Sequence, residues 1–131
     1  MNRIEQQIQI ALVQHLRARA VPGLVYFHVP NGGLRSKREA ALLKAMGVRA
    51  GVSDFIFVHA GKVYALELKA EGGRATEAQM QFLSDIDRAG AFTALPAGLD
   101  AALATLEAWG LIRTAIKSIE EVAQRAAARV A

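Results

Sequence analysis

Three observations on the 131-residue chain predict an α/β domain built on a mixed four-stranded sheet. Helical and strand-like patterns follow one another in the order helix, strand, helix, strand, strand, helix, strand, helix. The two central strand patterns are separated only by Ala60-Gly61, a hairpin signal. The second of them leads into a capped helix and another short strand, which calls for a right-handed parallel crossover. A hairpin joined to a crossover puts antiparallel and parallel neighbours in one sheet, with helices packed on it in two or three layers.

Each element has a local reason. Over residues 3–19, Ile4, Ile8, Ala11, Leu12 and Leu16 recur at helical spacing, with Asn2 placed to cap and Glu5 at the third helical position. Pro22-Gly23 ends that segment, Leu24 to Val29 reads as a short apolar strand, and Pro30-Asn31-Gly32-Gly33 as a turn. Ser36-Lys37-Arg38-Glu39 is a capping box opening a helix to Met46, with Gly47 as its stop. Asp54 to His59 and Lys62 to Lys69 are the hairpin strands. Glu71-Gly72-Gly73-Arg74 is a flexible connection to a second capping box, Thr76-Glu77-Ala78-Gln79. Its helix carries Met80, Leu83 and Ile86 and stops at Gly90. Ala91 to Leu95 is the last strand, broken by Pro96. Asp100 is expected to cap a helix bearing Leu103, Leu106 and Trp109, and Ser118 to start an Ala-rich final helix. Residues 1–113 thus form one domain, with 114–131 as a terminal helix suited to oligomerisation.

Composition narrows the function. The chain is 53% hydrophobic and 21% charged, a globular balance. It has no cysteine, which excludes disulfides and thiolate zinc sites and is compatible with the cytoplasm. No apolar run approaches the length of a membrane span, so no membrane association is expected. The formal net charge of +4 is local. Arg35, Lys37, Arg38, Lys44 and Arg49 face one acid, Glu39, within residues 33–50, and the rest of the chain is balanced. Such a patch suits a phosphate backbone; a solvated basic helix is the plain alternative.

The chemistry concentrates at the hairpin. Glu67 and Lys69, two residues apart, share one face of their strand, while Leu66 and Leu68 point the other way. If the strands pair, Asp54 returns beside Glu67. Two carboxylates and an ammonium at one sheet end suit a hard divalent cation and a phosphodiester, hence a metal-dependent nuclease. The bland readings are an exposed i,i+2 ion pair for Glu67 and Lys69 and a strand cap for Asp54. His28 and His59 read as strand residues rather than metal ligands, and Trp109, Phe55, Phe57 and Phe82 as core.

The order of elements, with an acid followed by Glu-x-Lys, resembles the PD-(D/E)XK nuclease superfamily. Its restriction-endonuclease-like core, αβββαβ, fits residues 3–95 with one helix inserted at 36–46. More narrowly, the chain resembles the virus-type replication-repair nuclease (VRR-NUC) family over about residues 3–110. Four features carry this: Glu5 on the first helix, Asn31-Gly32-Gly33 with its basic helix, Gly51-Val52-Ser53-Asp54, and Glu67-Leu68-Lys69 followed by Thr76-x-x-Gln79. Ser53 departs from the proline in the superfamily's name, which loosens the backbone before the strand but removes no ligand.

The resemblance implies that Asp54, Glu67 and the backbone carbonyl of Leu68 ligate Mg2+ or Mn2+, with Glu5 near the same metal. Lys69 would orient and help deprotonate the attacking water, and Gln79 would lie near Lys69 or the scissile phosphate. Glu5 and Gln79 also have a capping explanation, and Asn31 with its glycines could be a plain turn. Arg35, Lys37, Arg38, Lys44 and Arg49, with Asn31 and Ser53, are the expected nucleic-acid surface. The family context suggests a viral or bacterial source and a homodimer acting on branched, Holliday-junction-like DNA, with residues 99–130 as a candidate interface. Alternatives are a flap, nicking or restriction-like nuclease, a non-catalytic nucleic-acid-binding module of the same fold, and an interaction protein using the C-terminal helix.

Overall fold

The computed structural model describes residues 2–30, 35–114 and 127–128. The elements are α1 (Arg3–Arg19), β1 (Val25–His28), α2 (Lys37–Ala45), β2 (Phe55–His59), β3 (Lys62–Leu66), α3 (Glu77–Arg88), β4 (Phe92–Ala94) and α4 (Leu99–Ala108). The sheet order is β1-β2-β3-β4, antiparallel except for the parallel β3–β4 pair. The predicted mixed α/β core with its inserted helix is therefore what the chain forms. The C-terminal helix predicted from Ser118 and the Asn31-Gly32-Gly33 turn lie outside the described residues, apart from residues 127–128.

Strand alternation sorts the core. Phe55, Phe57, Tyr64, Leu66 and Leu68 face α1 and α4, meeting Leu12, Leu16, Ala102 and Leu106. Ile56 and Ala65, one residue out of phase, face α3 and pack with Phe82 and Leu83. Burial of these side chains contributes about 1.5–3 kcal/mol each before entropy is counted. As predicted, Phe55, Phe57 and Phe82 are core and Trp109 packs on that first cluster, its ring 5.1 Å from that of Tyr64.

Local details correct the sequence reading. Ile4, expected on the apolar stripe, is exposed, and the inward stripe of α1 runs Glu5, Leu12, Leu16. The N-cap of α4 is Gly98, and Asp100 sits inside the first turn. The positive φ of +88° at Gly98 sets the turn into the helix, and no side chain caps it. The apolar face of α4, offered as part of a dimer interface over 99–130, is instead buried against α1 and the sheet: Ala102 and Leu106 are core, as are Leu111 and Ile112 just after the helix. Finally, β3 stops pairing with β2 at Leu66, not Lys69. Beyond Leu66 the chain keeps its parallel partner alone: Glu67 N–H donates to the Ala94 carbonyl (3.1 Å) and Lys69 N–H to that of Pro96 (3.1 Å).

Helix α2 is unlike the others, because none of its residues is buried. Ser36 caps it by accepting from Glu39 N–H, and Gly47, with φ +99°, ends it. The following loop is clipped to α3 by Arg49, whose guanidinium pairs with Asp85 (2.5 Å) and lies 5.3 Å from the Phe82 ring centre. At Gly51 that loop touches α3 directly. A Cβ there would sit 2.3 Å from the carbonyl carbon of Ala78, and φ is +81°. Both the space and the backbone require glycine. Gly51→Ala is expected to destabilise the protein by about 2–3 kcal/mol and lower the thermal midpoint by about 6–10 °C, checked by calorimetry. An unchanged midpoint would show that the contact between loop and helix does not hold.

Candidate active site

The parting of β2 and β3 creates the site. At that point the ladder gives way to bonds between side chains and main chain. Asp54 N–H donates to Glu67 Oε2 (3.1 Å), and Leu68 N–H donates to Asp54 Oδ2 (2.7 Å). The two carboxylates therefore stand in for missing rungs and are fixed by the backbone. Lys69 Nζ lies 3.3 Å from Glu67 Oε1. The exposed-pair alternative fails here, since the two side chains are only 10% and 4% exposed. From the other edge, Val29 N–H donates to the Asp54 carbonyl (2.9 Å), and His28 Nδ1 lies 2.7 Å from the same oxygen.

Glu5 joins this group. Asn2 caps α1 by accepting from Glu5 N–H, while the Glu5 side chain is buried. A methyl group on Gly73 would come within 3.6 Å of Glu5 Oε1. Glu5, Asp54 and the Glu67–Lys69 pair, drawn from three separate stretches of chain, thus converge. Sequence reasoning passed over two contributors. His28 was read only as a strand residue, and Gly73 only as flexible linker. The second had a signal: a glycine pair directly after Glu-x-Lys-x-Glu marks a tight return over the strand end, and Gly73 N–H does donate to the Ala70 carbonyl (2.9 Å).

The acids pay an electrostatic penalty for this arrangement. Burial, then the neighbouring Asp54 charge, raises Glu67 from 4.5 to about 7, against the opposing pull of Lys69. Burial likewise raises Asp54, with a smaller push from Glu5; the Leu68 N–H, His28 and Lys69 oppose it. Among the described residues no three His, Cys, Asp or Glu side chains are gathered closely enough to hold a metal by themselves. Two crowded carboxylates still fit a hard dication such as Mg2+, which commonly takes one or two protein carboxylates and fills its other positions with water and phosphate. Asp54 and Glu67 would hold it, with Glu5 close by.

The remaining candidates lie to one side. Gln79 closes the α3 capping box: Thr76 N–H donates to its Oε1 (2.9 Å), and its own N–H donates to Thr76 Oγ1 (3.2 Å). It also lines a groove of about 680 Å³ between α2 and α3, together with Arg35, Ala40, Leu43, Lys44 and Arg49. Lys37 and Arg38 are exposed on α2. Ser53, expected on the nucleic-acid surface, is instead fully buried with its hydroxyl donating to the Phe55 carbonyl. It shares the parity of Phe55 and Phe57 and so points into the core, whereas Asp54 points the other way.

No family model and no curated protein matches the sequence. Among solved structures the chain is similar in fold to one described as a VRR_NUC domain protein, with a TM-score of 0.68, 22% identity, and 82% of this chain and 88% of that one covered. The fold is VRR-NUC-like. No helix among the described residues is long and apolar enough to cross a membrane.

The raised Glu67 carboxyl has a measurable consequence for the metal-free protein. A carboxyl whose folded pKa lies above its unfolded value adds stability that is complete below the unfolded pKa and is lost as pH rises through the folded one. In a chelator the melting temperature should therefore climb as pH falls from 8 to 5, and Glu67→Gln should flatten that climb. Asp85, held down to about 2 by hydrogen bonds from Arg49, Arg88 and Gln81, acts in the opposite sense only below this window. A profile identical in wild type and Glu67→Gln would contradict the assignment.

Proposed function

We propose that this protein is a metal-dependent endonuclease that hydrolyses phosphodiester bonds in DNA. One observation carries the reading: two buried carboxylates, Asp54 and Glu67, are fixed by backbone N–H groups beside a buried lysine, Lys69. A salt bridge kept only for stability gains little from such burial, whereas a cation site uses it. The VRR-NUC-like fold and the basic segment over 35–49 support the same reading.

A bound Mg2+ or Mn2+ would polarise the phosphate and acidify a coordinated water. Asp54 and Glu67 hold their oxygens ready without reorganising. Lys69, anchored to Glu67, offers an ammonium that can orient the water and offset charge building on the phosphate. Glu5 adds negative charge on the same side, which strengthens the preference for a dication. Gln79, at the N-terminus of α3, bounds the route by which a strand would arrive from the α2 side.

Activity on branched DNA by a homodimer is the finer form of the proposal. Because α4 is occupied in the core, the surface suited to a second copy is the sheet face beyond α3. Val25, Val58 and Val63 stand directly across from one another there, and Phe27 shares their face. All four are exposed. A twofold contact through this face would present two active sites.

With Mg2+ or Mn2+, cleavage of a panel of junction, flap, nicked and linear duplex DNA is expected from the wild type. Glu67→Ala and Lys69→Ala should each lower the rate by about 100-fold or more, with the fold retained by circular dichroism. Full activity in either variant would overturn the proposal. Binding without cleavage in either metal would favour a non-catalytic module.

A further inference from the structure

Helix α1 changes character along the side it turns to the sheet. Leu12 and Leu16 are fully buried in the main core, with Ile8 and Val13 packed against the same cluster. Glu5, at the other end of the stripe, is buried beside the carboxylates. Gln9 stands between these halves, four residues after Glu5 and three before Leu12, and so lies on the same face. A long side chain in a helix leans over the turn N-terminal to its own Cα. That carries the Gln9 carboxamide toward Glu5 and away from the leucines.

The carboxamide has an unmet requirement. Its oxygen is cut off from solvent and accepts no hydrogen bond, and among the described residues it is the only buried side-chain atom left in that state. Such an orphaned acceptor costs folding free energy that a leucine, continuing the stripe, would not. The missing partner must be a donor, which excludes a phosphate oxygen. Glu5 points to the same donor. It stands near enough to Asp54 for its charge to act on that carboxyl. Yet among the described residues no three acids are gathered closely enough to hold one ion directly. Gln9, a turn farther along α1, stands behind Glu5. Water is the donor that fits between, and Mg2+ keeps several waters when one or two carboxylates hold it.

Building on the metal-dependent nuclease reading, we propose that Gln9 is a further positioning residue of the site. Its Oε1 and the Glu5 carboxylate accept the two O–H groups of one water in the hydration shell of the cation held by Asp54 and Glu67. A water donating in both those directions presents its lone pair the opposite way, toward the cation. Gln9 thereby fixes one position of the hydration shell, and the cation's water in turn supplies the donor that the helix lacks.

Metal binding and folding stability, with no DNA present, test this. Mn2+ is titrated into the full chain by calorimetry, and thermal midpoints are taken in chelator. Gln9→Leu should weaken Mn2+ binding about 10-fold, as loss of an outer partner of a metal site does. The same variant should raise the midpoint in chelator by about 3–5 °C, because the orphaned acceptor is gone. Gln9→Glu, which keeps an acceptor at the same reach, should bind Mn2+ at least as tightly as wild type. Gln7→Leu, on the exposed side of α1, should leave Mn2+ affinity unchanged. Equal affinity in wild type and Gln9→Leu, with binding lost in Glu67→Ala, overturns the role of Gln9 and leaves the metal site standing. Weaker binding together with a lowered midpoint in chelator marks a packing defect and overturns it as well. Absence of Mn2+ binding by the wild type removes the metal-dependent reading itself, and the role of Gln9 with it.

Discussion

Where β2 and β3 separate, two backbone N–H groups lose their ladder partners, and the answer to that loss organises the site. Buried donors without acceptors cost about 1–3 kcal/mol each, so the chain must satisfy them locally. Asp54 and Glu67 do so reciprocally, each carboxylate accepting from the main chain beside the other. The strands cannot stay paired past Leu66 because β3 continues along residues 94–98 while β2 begins at Phe55. The same divergence that opens a wedge in the sheet thus fills it with oriented negative charge. Lys69 follows by necessity, since its position is set by the parallel bond to Pro96 and its parity by Glu67.

Stability and readiness for a cation pull in opposite directions at this wedge. The carboxylates satisfy the backbone best when ionised, yet burial and mutual repulsion drive them toward protonation. Lys69 offsets this only in part. Its single charge pairs with Glu67 and acts on Asp54 from farther off. A dication would oppose the upward push of burial on Asp54 and Glu67 without distorting the bonds that hold the strands. The geometry is thereby tied to chemistry: the rung-replacing role fixes where the oxygens are, and the residual repulsion sets what they attract.

Most of the frame was legible in the sequence because it rests on short-range patterns. The alternation around Phe55 and Phe57, the turn at Ala60-Gly61 and the Thr76–Gln79 cap each depend on neighbours a few residues away. So did the pairing of Asp54 with Glu67, once a hairpin was assumed. What escaped depends on tertiary geometry. Nothing local says that Glu5 turns inward while Ile4 faces water, because a helix face is chosen by what packs on it. Sequence periodicity gives α4 an apolar face but does not say that α1 and the sheet cover it. Ser53 could be sorted from Asp54 only by extending strand parity one residue before the ladder starts. The loop at Gly51 gave no hint of its contact with Ala78, which lies 27 positions away.

That contact also explains why the basic segment and the acids are not independent features. Residues 47–51 are pinned at both ends of a short span: Arg49 clips to Asp85, and Gly51 rests on the backbone at Ala78. Three residues later the same stretch becomes Asp54. The cations around α2 are therefore tied to the carboxylates through one short connection anchored on α3. Helix α2 contributes charge without contributing core. The chain's whole excess of positive charge sits within residues 33–50, on α2 and the segments flanking it, and the loop that leads from there to the acids passes through a glycine that has no room to become anything else.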